Sequence, residues 1–560
     1  MKRALRVVVA VLTLATAVTA CSSDKAEVKA PASWWKGVAE TDMRGKAEGD
    51  SYPKVVVEAN DNTFAPQILR IDPGVTVEFK NRGDSIHNVL KALRIQSFGP
   101  QFGIDSLDVG ASYEFTFEKE GVYRIFCSLH GNEDNGMVGM IVVGAAKIDD
   151  ELGGKVVELK QGTLRVPQEY KTIQAAVDAA APGSMVLVDK GVYNEAVFVN
   201  PGHENIVIRG TSRNDVILDG KFDKSKKNGF LVQADGVAIE NITAQNYVVN
   251  NFFWTGVKGY RGSYLTSVRS GDYGVYAFDS VDGQFDHVYA SGSRDAGLYI
   301  GQCTKCNAVV TDFVSEWNGL GFSGTNAGGD LYLVNSTWRF NRVGIVPNSG
   351  TNETMYPQRA ATIVGNRVYS NNNKGTSAID IATTAFGNGI LLAGGNDNVV
   401  ERNLVFDHDV YGIAAIPLPE KFLDPDSETA VDFDATNNSV QNNDVSDSRV
   451  ADLAAIVQIT KPNDGGKNCF KGNIVEKTNP ANIQELLACG SAPGVYVADL
   501  AKFIEQFTDD GPPEVDWKLA KLPAVERLEE MPNALTAPVK PANVGVPMKI
   551  DLAAITLPKK

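Results

Sequence analysis

A short glycine-led unit returns along this chain at almost constant spacing. Gly274-Val275-Tyr276, Gly297-Leu298-Tyr299, Gly319-Leu320-Gly321, Gly344-Ile345-Val346, Gly389-Ile390-Leu391 and Gly412-Ile413-Ala414 lie 23, 22, 25, 45 and 23 residues apart, the 45 being two periods. Asn-x-Val units interleave with them, as in Asn366-Arg367-Val368 and Asn403-Leu404-Val405, where an amide at a turn can bond backbone or the equivalent amide of the next repeat. A repeat of this length, built from short strands and Gly/Asn turns, cannot bury its apolar face alone and must stack on its neighbours. The pattern therefore predicts a parallel β-helix. Just ahead of it, Ile173, Ala176, Val177 and Ala180 sit at i, i+3, i+4 and i+7 before Pro182-Gly183, which predicts one helix, of a kind that can serve as a cap.

The segment before the solenoid has a different period. Val55, Val57 and Ala59, then Val75, Val77 and Phe79, alternate with polar residues, and Asp72-Pro73-Gly74 marks a turn between the two runs. Tyr113 to Phe117 and Tyr123 to Phe126 repeat the alternation. About seven such strands over residues 52–146 predict a β-sandwich, so the chain as a whole is expected to be all-β.

The first residues read as an address. Met1-Lys2-Arg3 and Arg6 precede an apolar run from Val7 to Ala20 that is too short to span a bilayer. Its end, Val18-Thr19-Ala20-Cys21, resembles the lipobox of bacterial lipoproteins, which implies a signal peptide over 1–20 and lipid attachment to Cys21. The expectation is an exported protein, lipid-anchored to the outer face of the bacterial cell membrane or periplasmic, with residues 21–51 as a flexible tether in which Trp34-Trp35 is available to dock. In such an oxidising compartment disulfides persist. If Cys469 pairs with Cys489 and Cys303 with Cys306, Cys127 is left over, and an odd thiol outside the cell requires an explanation. Cys303-Thr304-Lys305-Cys306 also has the spacing of half a metal site, although no neighbouring His completes one.

Copper that cycles between Cu(I) and Cu(II) is served by two imidazoles, one thiolate and a weak axial thioether. Ser85-Ile86-His87-Asn88-Val89, Phe126-Cys127-Ser128-Leu129-His130 and Gly136-Met137-Val138-Gly139 supply that set. Together they resemble the plastocyanin-like cupredoxins over residues 52–146. The resemblance implies one mononuclear blue-copper ion, with His87, Cys127 and His130 equatorial and Met137 axial. Six residues separate His130 from Met137, two more than is usual in plastocyanins, and Met140 is the rival axial ligand. On one strand a separation of three points the two methionines to opposite faces, so only one can face the metal. The remaining histidines, His203, His287 and His408, are scattered and are read as structural.

The segment Tyr170 to Val177 through Gly191-Val192-Tyr193, with its downstream coils, resembles the right-handed parallel β-helix proteins of the pectate-lyase-like superfamily, and the solenoid is placed over 160–490. Residues 491–560 form a proline-rich extension, either packed along the solenoid or loose. The resemblance implies fold more strongly than activity. Asp272 and Asp295 are 23 residues apart and are expected to stack on successive coils, where one pKa would be pushed up, as acid–base chemistry or a Ca²⁺ site uses; Arg261 or Asp279 would complete such a site. Turn aspartates that merely bond backbone are the plainer alternative.

Three functions follow. The preferred one is one-electron transfer to an unidentified redox partner protein, with the solenoid as a scaffold for docking or carbohydrate binding. The second is a polysaccharide lyase, hydrolase or epimerase with an accessory copper domain. The third is copper trafficking or maturation, since β-helix proteins also serve a periplasmic copper reductase. A net charge of −15 argues against nucleic acid as a partner.

Overall fold

The computed structural model describes residues 35, 38–46, 54–92, 102–131, 136–148, 159–351, 353–419, 431–456, 465–492, 494–496, 503–505, 512–536 and 544–560. The signal sequence, Cys21 and most of the tether lie outside the described residues.

Residues 55–143, joined by the strand Glu40–Asp42, fold as a β-sandwich. One sheet has six strands in the order Glu40–Asp42, Ile68–Ile71, Gly136–Val143, Gly121–Gly131, His87–Lys91 and Gly103–Leu107. The other has four, Thr63–Ala65, Val55–Asn60, Val75–Asn81 and Ser112–Phe117. The period-two pattern is the reason: Val55, Val57, Ala59, Val75, Val77 and Phe79 all face one core, together with Phe117, Tyr123, Ile125 and Ile141. Trp35 docks on the opposite side of the six-stranded sheet, against Ile68, Val122, Met140 and Val142, with the Arg124 guanidinium 5.3 Å above its ring.

The solenoid is a parallel β-helix. Its coils contribute in turn to three parallel sheets of twelve, ten and eleven strands, called here the first, second and third sheets, beginning at Thr163–Val166, Gly191–Tyr193 and Val197–Val199. Each glycine-led repeat lies in the third sheet, where Val275 pairs with Leu298 and Ile390 with Ile413. The helix Ile173–Ala179 starts with Thr172 capping the Ala175 amide at 3.1 Å and buries Ile173, Ala176 and Val177 over the first coils.

Asparagines bind the coils at their corners. Asn366, Asn403, Asn443 and Asn473 form one ladder with side-chain bonds of 3.0, 3.0 and 2.9 Å. Asn398, Asn438 and Asn468 form a second, and Asn318, Asn341 and Asn371 a third, which ends on His408. Each amide also donates to or accepts from backbone, so buried turns leave few orphan groups. Inside the core, rings stack coil on coil, as Phe313 does on Trp338 at 5.4 Å.

The C-terminal extension straps the outside of the solenoid. Arg269 donates to Lys518 O and, at 3.0 Å, to Ala520 O; Asn214 bonds Leu528 O, Glu530 accepts from the Arg213 amide, and Ile555 packs on Val334 and Val364. Sulfur–sulfur bonds close Cys303 to Cys306 and Cys469 to Cys489, leaving Cys127 free and buried. No helix among the described residues is long and apolar enough to cross a membrane.

Candidate metal centre

His87, Cys127, His130 and Met137 come from three adjacent strands of the six-stranded sheet, and irregularities in pairing aim them together. The register shifts between His87 and Val89, and again between Gly136 and Val138, so a ligand sits at each bulge. A bulge tightens the local twist and turns a side chain out of the regular alternation. Across the second shift Gly136 faces Gly131 while Val138 faces Phe126, which leaves the Cys127-to-His130 segment arched over Met137.

The three donor atoms converge. Nδ1 of His87 lies 3.0 Å from Nδ1 of His130, and Cys127 Sγ is 3.9 and 3.5 Å from those two nitrogens. All three residues are buried, and they form the one cluster of three or more potential ligands found among the described residues. For nitrogens at ~2.0 Å and sulfur at ~2.3 Å from an ion, a trigonal plane has edges of roughly 3.5 to 3.7 Å, so the triangle fits a metal with small adjustment. Met137 is fully buried in the same core as Cys127, whereas Met140 faces the Trp35 cluster. Two imidazoles, a thiolate and a thioether are the donor set of a copper site that serves both oxidation states.

Burial prepares the donors. It pushes His87 down to about 4 and His130 to about 3, the latter helped by its neighbour His87, so both rings keep their lone pairs at neutral pH as ligands must. Burial pushes the Cys127 thiol up, opposed by N–H donors that include the Asn88 amide at 3.4 Å from Sγ. Asn88 does more: its Oδ1 accepts from the Ser128 amide at 2.7 Å and its Nδ2 donates to Ser128 Oγ at 2.9 Å, tying the His87 strand to the Cys127 strand. Asn81 holds the loop before His87 through Ser85 O and Leu107 O. Gly83 is required there by space, since a Cβ would lie 2.9 Å from His87 Nε2 and 2.9 Å from the Asp61 amide.

The solenoid reaches the ligand loop, a contact with no period or motif to announce it. Gln233 Nε2 donates to the His130 carbonyl at 3.4 Å and to Asn62 Oδ1 at 3.0 Å; Asn200 Oδ1 accepts from the Gly136 amide at 3.1 Å. Thr255 Oγ1 adds a 3.3 Å bond to Asn62, and Lys227 lies close enough to Cys127 for its charge to favour the thiolate. Polar side chains at strand ends of the third sheet are ordinary in sequence, so only the fold exposes this role.

The remaining candidates fall as follows. Asp272 and Asp295 do lie on successive coils, with the Asp295 amide donating to Asp272 O at 3.2 Å. Burial raises both, Asp272 to about 7; nearby Asp380 raises both further, and Asp272 raises Asp295. Arg261 does not join them: it belongs to the first sheet and pairs with Asp286 at 3.3 Å. Asp279 lies beyond the end of its strand, pushed up to about 7 by burial and by Asp61 and Asp84 of the sandwich. Three tyrosines stand beside the pair, Tyr273, Tyr276 and Tyr299, whose ring centroids are 4.5 to 4.9 Å apart; Tyr276 and Tyr299 close two of the glycine-led repeats, which marked them for the fold and not for a site. Glu353, from an insertion between coils, accepts from the Tyr299 hydroxyl and is pushed up to about 8 by burial. The other histidines have structural contacts: His203 with Ala180 O at 2.8 Å, His287 with Asp286 at 3.1 Å, and His408 at the foot of an asparagine ladder.

The sequence profile of copper-binding proteins of the plastocyanin/azurin family matches residues 53–144. A pectinesterase/pectinesterase inhibitor of Arabidopsis thaliana is 31% identical over 141 residues, 22% of this chain and 27% of that protein. Among solved structures, a copper-containing nitrite reductase from Thermus scotoductus is 29% identical over 18% of this chain and 24% of its own, with a TM-score of 0.15. The A-module of a mannuronan C-5 epimerase from Azotobacter vinelandii is 14% identical, covering 57% of this chain and 93% of its own, with a TM-score of 0.39. The chain thus spans about a quarter of the length of the plant protein and of the reductase.

Proposed function

From a copper-binding domain of the plastocyanin/azurin family fused to a parallel β-helix, we propose a one-electron carrier outside the cytoplasm, held at the membrane through Cys21. His87, Cys127 and His130 would hold one copper ion, with the Met137 thioether as the fourth donor. Bound there, copper supplies a one-electron couple whose two states share nearly the same coordination.

The observation that carries this reading is the enclosure of the donor triangle: His87 and Cys127 are 0% exposed, His130 6% and Met137 0%. A site that binds and transforms a small molecule needs an open position at the metal, and a site that hands copper on needs a route for the ion. A closed, preformed donor set favours outer-sphere electron transfer over both. Asn88 and Asn81 hold the ligands in one geometry, which keeps the rearrangement between oxidation states small. The solenoid serves as the docking scaffold, since its third sheet bonds the ligand loop.

Adding Cu²⁺ to the full chain should give an intense thiolate charge-transfer band and a reversible potential. Cys127→Ser should abolish the band while leaving the circular dichroism spectrum unchanged. A colourless wild type, or copper that leaves on reduction to Cu(I), would overturn the proposal.

A further inference from the structure

The strand Phe230–Val232 of the third sheet lies between two solenoid side chains that act on the copper domain. Just past its end Gln233, 9% exposed, donates to the His130 carbonyl, and Asn200, one coil earlier, accepts from the Gly136 amide. The two are adjacent rungs: Val199 pairs with Val232, and the Gln233 amide donates to Val199 O at 2.8 Å. Gly131 and Gly136 face each other across the ligand loop, so neighbouring coils hold both ends of the segment that joins His130 to Met137. Asn62 seats the domain one coil further on, where Gly256 leaves room for it; a Cβ there would stand 2.0 Å from Asn62 Nδ2, and φ is +62°.

Ahead of the same strand stands Lys227. Its carbonyl accepts from the Val249 amide at 2.9 Å, and Asn228 beside it bonds Asn250 at 2.9 Å, so the backbone that carries it is fixed. The side chain is half-buried and makes no ion pair among the described residues, whereas its neighbour Lys226 is bridged to Asp223 at 2.5 Å. The Lys227 ammonium acts on both Cys127 and His130, and the charge that acts back on it is that of Cys127. A cation without a counter-charge in a poorly solvated junction is only weakly screened.

We propose that the solenoid is part of the redox centre: Asn200 and Gln233 position the ligand loop, and Lys227 places beside Cys127 and His130 a positive charge that raises the potential of the site. The inference rests on the reading of the donor set as a one-electron copper centre. Its sign follows from charge. The donors contribute one negative charge, on the thiolate, in both oxidation states, so the oxidised centre is one unit more positive than the reduced one. A nearby ammonium therefore opposes the oxidised state more strongly and favours the arrival of an electron. The step is the uptake of one electron from the redox partner by Cu(II) to give Cu(I); no bond is made or broken, and no proton moves. The solenoid thus makes the copper domain a stronger electron acceptor than its own four donors would.

Redox titration of the copper-loaded full chain would compare the wild type with Lys227→Met, which keeps the length of the side chain and removes its charge. At a fixed potential the Cu(I)-to-Cu(II) ratio should fall about tenfold in the variant, a downward shift of about 59 mV. Lys227→Arg should restore the wild-type ratio, and Lys226→Met, one residue away with the same loss of charge, should leave it unchanged. In the copper-free protein Asn200→Ala should speed amide exchange at Gly136 about tenfold and leave exchange in the solenoid strands as it was. The proposal is overturned if Lys227→Met keeps the wild-type potential, if Lys226→Met shifts it equally, or if exchange at Gly136 is unaltered. A wild type that takes up no copper removes the electron-carrier reading and this inference with it, whereas a blue wild type whose potential is unmoved by Lys227→Met removes this inference alone.

Discussion

Replacing His408 by Asn should make the solenoid less stable at pH 7.5 and more stable at pH 4.5. His408 is 2% exposed, and its Nε2 lies 3.3 Å from Asn371 Nδ2. Nε2 is therefore the acceptor and Nδ1 carries the proton, with no partner for it among the described residues. Burial lowers the pKa from 6.5 to about 3. Above pH 6.5 the ring is neutral in both folded and unfolded chains and adds no pH dependence. As the pH falls below 6.5 the unfolded chain takes up a proton that the folded chain refuses, so stability is lost progressively until the folded pKa is reached. The loss is ~1.4 kcal/mol per pH unit, or about 2.7 kcal/mol between pH 6.5 and 4.5. Asparagine keeps an acceptor for Asn371, as the rungs above do, but leaves a small void worth roughly 1 to 2 kcal/mol. The variant should thus start behind by that amount and finish ahead by about 1 kcal/mol. Urea unfolding of both proteins at the two pH values measures the difference, in which the carboxyl titrations common to both cancel. A gap between the proteins that is the same at both pH values would refute the assignment of His408 as a neutral, buried ladder terminus.

Three further outcomes are expected. Gly83→Ala pushes a methyl against the Asp61 amide and the His87 ring; it should cost about 1 to 3 kcal/mol and weaken copper binding, read by urea unfolding and by metal titration. Asn200→Ala together with Gln233→Ala removes bonds to Gly136 and His130; each bond is worth about 1 kcal/mol, and only unfolding of the sandwich should shift, followed by tyrosine-independent amide exchange at Val89 and Ile125. Cys469→Ser with Cys489→Ser opens a crosslink spanning 20 residues; unfolding of the last coils should become easier by roughly 3 kcal/mol, seen as earlier exchange at Phe470.

Periodicity made most of the fold legible. The solenoid repeats fell in one sheet because the glycine-led unit marks the same corner of every coil, and Val55, Val57 and Ala59 disclosed the sandwich because alternation and burial are the same fact on a strand. The donor set was legible because copper demands particular residue types. What stayed hidden depends on contacts between distant elements. Arg261 looked like a companion to Asp272 from proximity in sequence, yet the chain turns a corner between them and Arg261 meets Asp286 instead. Glu353 lies in an insertion that breaks the repeat, so nothing in the spacing linked it to Tyr299. Asn200 and Gln233 are common residues whose meaning comes only from what lies opposite.

Those last two residues bear on how the two domains work together. Asn62 receives Gln233 and Thr255, and the ligand segment is bonded at His130 by Gln233 and at Gly136 by Asn200. The contacts come from three successive strands of the third sheet, so the sandwich rests across several coils. A copper site tied in this way has one of its approaches occupied by its own chain. Exposed apolar side chains remain beside the ligands: Ile86, 44% exposed, precedes His87, and Leu129, 42% exposed, precedes His130. Neighbours of inward ligands on a strand point outward, so on the electron-carrier proposal these two are where a redox partner would meet the copper domain. Under that proposal the solenoid would limit which side of the copper domain a partner can meet, and Lys227, by favouring the Cys127 thiolate, brings the solenoid's own charge to the donor set.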